Sequence, residues 1–151
     1  MYMTQNEFAT KKESILKPLA EAYGLRYCPL DDDVALVGKD FAIIFYFGRG
    51  ETDIVYWLFN GNEMIEYPFD SFIVSTGNDQ DRAGVEFKDG LYEHNLSDLQ
   101  VLVNILQNHW QEILKGNRAW LELYQQSEDG YTPEKVHNQY SEIVRRVILQ
   151  G

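Results

Sequence analysis

Apolar positions are densest between Phe41 and Phe59, where two runs of β-branched and aromatic residues flank Gly48-Arg49-Gly50-Glu51. That composition predicts a β-hairpin with a short loop. Phe41, Ile43, Phe45 and Phe47 fall on one side of the first strand, and Ala42, Ile44 and Tyr46 on the other. Because both sides are apolar, the strand belongs in the middle of a sheet and not at its edge.

The flanking pattern builds outward from this hairpin. Thr4 and Glu7 have capping-box spacing, and Phe8, Ile15, Leu16, Leu19 and Tyr23 recur at helical intervals, with Gly24 as a stop. Pro18 within that pattern predicts a kink, or two short helices joined near Lys17. Leu25–Leu30 contains Pro29, which suits an edge strand. Asp31-Asp32-Asp33 reads as a turn and Val34–Val37 as the next strand. Beyond the hairpin, Asn60-Gly61-Asn62 is a turn and Glu63–Tyr67 a strand that pairs back. Residues 68–74 either extend the sheet or form a short helix with Phe69 and Ile73 inward. Residues 76–90 read as a long loop, with one short strand at Val85–Phe87.

The last third carries helical spacing. Ser97 and Gln100 form a capping signal, followed by a stripe of Leu99, Leu102, Val103, Leu106, Trp110, Ile113 and Leu114 that ends at Gly116. Asn117 is placed to cap a short helix bearing Trp120, Leu121, Leu123 and Tyr124. Thr132-Pro133-Glu134 then predicts the start of a final helix with the stripe Val136, Tyr140, Ile143, Val144 and Val147. The sum is one α+β domain spanning residues 1–151: an antiparallel meander of four to five strands, with an N-terminal helix and two to three C-terminal helices packed on it. The second apolar face of the central strands is left for the first helix, the long loop or another protein to cover.

Size agrees with this reading, since a chain of 151 residues buries roughly two thirds of its unfolded surface as one domain. A 44% hydrophobic and 14% aromatic composition excludes a disordered chain. Cys28 has no second cysteine to pair with, the N-terminal residues form no apolar leader, and no apolar run is long enough to span a bilayer. A cytoplasmic protein is expected. Twenty-four acidic residues against 13 basic ones give a net charge of −11. That field repels nucleic-acid backbones and anionic membranes and attracts basic proteins.

Reactive groupings are sparse. Asp79-Gln80-Asp81 begins like a calcium loop, but Ala83 and Gly90 stand where ligands are needed, so no metal is expected there. His94, His109 and His137 lack ligand spacing. Cys28 reads as a small buried apolar residue. No nucleophile elbow, phosphate loop or dinucleotide fingerprint is present, so neither cofactor nor catalytic residue is assigned. What remains is the proximity of aromatic and acidic residues along the meander. Trp57 and Tyr67 as anchors, with Glu63, Glu66, Asp70, Asp79 and Asp81 as the acidic surround, are the expected partner-binding residues.

In layout, this acidic chain resembles the immunity proteins of bacterial polymorphic-toxin and contact-dependent inhibition systems. The likeness lies in an N-terminal helix, a meander (FAIIFYF…DIVYWLFNGNEMIEYPFDSFI) and closing helices (LQVLVNILQNHWQEILKGNRAWLELY). It implies tight binding to one cognate toxin, often by occluding a basic nuclease site, and carries over no individual residue. The alternatives are a scaffold that self-associates through the open sheet face, with a homodimer burying Trp57, and a ligand carrier or enzyme with a pocket between sheet and helices.

Overall fold

The structure is a computed structural model and describes residues 2–151. Thr4 Oγ1 accepts the Glu7 N–H while the Glu7 carboxylate accepts the Thr4 N–H, and this reciprocal pair opens helix α1 (Gln5–Ala22). The helix continues through Pro18 as a single element, burying Phe8, Lys12, Leu16, Leu19 and Ala20. Five strands follow in order: β1 (Arg26–Leu30), β2 (Asp33–Val37), β3 (Phe41–Phe47), β4 (Thr52–Phe59) and β5 (Met64–Tyr67). Each pairs antiparallel with the next, the β3–β4 register setting Phe41 opposite Leu58 and Phe47 opposite Thr52.

After the sheet come α2 (Asp70–Ser75), which settles the ambiguous segment as a helix with Phe69 and Ile73 fully buried, and α3 (Asp79–Arg82). Residues 85–87 form no strand. The Glu86 carbonyl instead lies 2.7 Å from the Ser97 hydroxyl on the following helix. That helix, α4 (Leu91–His109), begins seven residues before the start expected after a Ser97 cap. Ser97 is a buried residue inside it, and its hydroxyl also reaches the Glu93 carbonyl one turn earlier. Locally, a serine that caps and one that bonds back within a helix look alike. The helix breaks at Trp110 (φ −131°, ψ 39°), so Ile113 and Leu114 sit on a separate turn, α5 (Gln111–Leu114). Helix α6 (Trp120–Gln126) starts without a side-chain cap, and Asn117 does not fill that role.

Glu134, expected in the final helix, instead opens a sixth strand, β6 (Glu134–Val136), which pairs with β5 through Met64–Val136 and Glu66–Glu134. The free backbone groups along β5 require partners, and this pairing overrides the local helix-start signal. The sheet order is β1-β2-β3-β4-β5-β6. The last helix, α7 (Gln139–Leu149), starts after Asn138, whose side chain accepts the Ser141 N–H at 2.9 Å.

Two cores result. On one face Leu36, Phe41, Ile43, Phe45, Ile54 and Tyr56 pack with α1, α2, α4, α5 and α6. On the other, Leu30, Ala35, Val37, Ala42, Ile44, Trp57 and Phe59 pack under Val144 and Ile148 of α7. The helices therefore do not share one face. The chain's own last helix, with Tyr140, Ile143, Val144, Val147 and Ile148 on its inner side, covers the face expected to meet another element or protein. A dimer through an open sheet face, burying Trp57, has no surface to use. Small Ala35 and Ala42 on that face let α7 approach, and burial of Val144 and Ile148 contributes about 1.5–3 kcal/mol each.

Replacing Asn138 by Ala removes the cap of α7 and should lower stability by about 1 kcal/mol in urea titration. Ending the chain before Asn138 leaves Ile44, Trp57 and Phe59 uncovered, and light scattering should then report more association than the intact chain shows.

Candidate functional site

Acidic side chains gather where the β3–β4 hairpin meets α4. The hairpin tip is stapled to the helix: Thr52 Oγ1 donates to the Asn95 carbonyl (2.8 Å), Asn95 Nδ2 donates to the Gly48 carbonyl (3.0 Å), and the Thr52 N–H donates to Asp98 (3.3 Å). Asp70, at the start of α2, lies close enough to Asp53, Asp98 and Glu51 to feel the charge of each. Glu51 and Asp53 are exposed, while Asp70 and Asp98 are half-buried.

Burial pushes the Asp70 carboxyl up to about 6, helped by the negative charges of Asp53, Asp98 and Glu51. Burial also raises Asp98, though the Thr52 N–H and the His94 and Arg82 charges oppose the shift. Among the described residues, no ion pair involves any of these four carboxylates. Nor do three metal-ligating side chains converge anywhere among those residues. The group is a loose, self-repelling patch, suited to meeting spread positive charge and not to enclosing an ion.

Of the expected binding residues, only Asp70 belongs to this patch. Trp57 is fully buried in the core under α7, with its indole N–H donating to Glu66 at 3.0 Å, so neither ring nor N–H is available as an anchor. Tyr67 lies in the opposite core against Tyr56 and Tyr124. Residues Tyr56 and Trp57 alternate along β4 into opposite cores, so Trp57 and, opposite Tyr56, Tyr67 both point inward and neither is an exposed anchor. Glu63 pairs with Lys135 of β6 at 2.7 Å. Asp79 is exposed on α3 and is not among the charges named as acting on Asp70 or Asp98.

Asp81 has no exposed surface at all. It accepts the Asn78 N–H (2.8 Å), Asn108 Nδ2 (2.8 Å) and His109 Nε2 (3.0 Å), and its backbone carbonyl accepts Asn104 Nδ2 (2.9 Å). Burial alone would push its carboxyl up, but these hydrogen bonds and the His109 charge outweigh it and hold the group below its ordinary value. The arrangement is a latch that fastens the 76–90 segment to the end of α4. The sequence offered a faint sign of it in Asn104 and Asn108, one turn apart on a helix. Cys28 is buried as expected, and burial raises its thiol.

Glu51, Asp53 and Asp98 were not among the expected binding residues, because only the docking of the hairpin tip on α4 brings them to Asp70. Comparison with protein-family models, with curated proteins and with solved structures returns no match. No helix among the described residues is long and apolar enough to cross a membrane.

An aspartate whose folded value is raised weakens the fold once it ionises, and that cost is absent below its unfolded value of 3.8. Asp70→Asn should therefore raise stability at pH 7.5 by about 1 kcal/mol after solvent screening. The gain should fade through pH 6 and vanish below about pH 4 when thermal midpoints are compared. Asp81→Ala should act in the opposite direction at neutral pH, costing about 2–3 kcal/mol in urea titration because Asn78, Asn108 and His109 lose a charged acceptor.

Proposed function

We propose that the chain is a protein-binding module, an immunity-type inhibitor that neutralises a basic toxin domain by binding it through its acidic surface. The observation that carries this reading is the crowding of Glu51, Asp53, Asp70 and Asp98, none of them in an ion pair among the described residues, on a molecule whose net charge is −11. An Asp70 carboxyl pushed up to about 6 by burial and by its acidic neighbours gains free energy when a partner supplies guanidinium or ammonium groups.

The acidic field accelerates encounter. Contact then falls on rims and loops, since helices fill both sheet faces. Leu91 supports such a contact: it is 57% exposed, and its Cδ2 atom stands against Gly50, beside Glu51. Hence the recognition elements are the hairpin tip, the start of α2 and the first turns of α4. Trp57, Tyr67 and Asp81 have structural roles in this reading.

Co-purification from the native host should recover a protein of basic isoelectric point. Raising ionic strength should slow its association by about tenfold or more while leaving dissociation nearly constant. The triple variant Asp53→Asn, Asp70→Asn, Asp98→Asn should lower the same association rate. An acidic partner, or an association rate indifferent to salt and to these substitutions, would overturn the reading.

A further inference from the structure

Where α1 meets the hairpin tip and the first turn of α4, the fold buries a lysine beside an open cavity. Lys12, in the third turn of α1, is only 6% exposed. Its Nζ donates to the Asp32 carbonyl at 2.6 Å and lies 4.6 Å from the Phe8 ring centre and 4.7 Å from that of Phe47. No carboxylate among the described residues lies within ion-pair distance of it. One carbonyl and two ring faces thus stand in for the water that three N–H donors would have in solution.

The space next to this lysine is a cavity of about 500 Å³, within the range of small-molecule sites. Its walls include Phe8, Phe47 and Tyr92, with Phe8 and Tyr92 stacked at 4.5 Å and Phe8 edge-on to Phe47 at 5.5 Å. Exposed Arg49, at the hairpin tip, lines the mouth, and Gln5 and Asn6 place the positive end of α1 at its margin. Flat apolar walls with two cationic side chains select an anion that has a flat apolar body. Asp31 and Asp32 also line the cavity, and their charges disfavour a ligand carrying more than one negative charge.

We propose that this cavity binds a small aromatic monocarboxylate, with its carboxylate on Lys12 and Arg49 and its ring against Phe47 and Tyr92. Burial lowers the Lys12 ammonium below its ordinary value against the pull of Asp32 and Asp33. A carboxylate entering the cavity restores the missing charge partner. The site uses none of the acidic-patch carboxylates, and it shares with the protein-binding surface only its border at Leu91 and the hairpin tip.

The test is a titration of the intact chain with 3-phenylpropanoate and with its neutral amide, followed by backbone-amide NMR. The carboxylate should give saturable shifts at Gly48, Arg49 and Tyr92, with the amide at least about tenfold weaker. Lys12→Met keeps the length and apolar character of the stem and should abolish the preference for the carboxylate, and Arg49→Gln, on the exposed loop, should reduce it. Equal affinity for the two ligands, shifts that map elsewhere, or no saturable shift with the carboxylate at millimolar concentration would overturn the proposal. The ligand pair decides the matter on the unmodified protein even if Lys12→Met fails to fold.

Discussion

The β3–β4 pair buries side chains on both of its faces, and most of the architecture follows from that constraint. Ile43 and Phe45 point into one core, while Ala42 and Ile44 point into the other, all with no exposed surface or nearly none. A strand pair of this kind has no side it can turn to water. The chain must therefore supply two helical coverings from a single domain. It does so unequally, with five helices over one face and α7 alone over the other. Asymmetry of this kind makes α7 the element on which the second core rests, although it joins the fold last in sequence.

Local chemistry made much of this visible from the sequence. The Phe41–Phe59 hairpin declared itself through alternation and glycines, and Thr4 with Glu7 declared the start of α1. Each of those signals is complete within a few residues. The misreadings have the opposite character. Glu134–Val136 is a strand only because β5 offers it an unpaired edge, and Ser97 is a mid-helix residue because the loop before it docks back through Glu86. Neither partner is near in sequence, so local preference pointed the wrong way.

The same division governs the carboxylates. Asp81 looked like a surface residue of a polar loop, and Asp70 like one acid among several. Tertiary structure surrounds the first with donors and the second with other acids, sending their proton affinities in opposite directions from a shared starting value. One aspartate consequently stabilises the fold that contains it, and the other stores repulsion at the surface. Only the folded geometry shows which acids share that repulsion.

Because β6 closes the sheet from beyond the entire helical segment, the order of synthesis has a consequence for the nascent protein. The ribosome will have released the meander and most of the helices before the residues that seal β5 and shelter Trp57 emerge. Throughout that interval the unfinished chain presents a greasy sheet flank and an unpaired strand border, the kind of surface that chaperones hold.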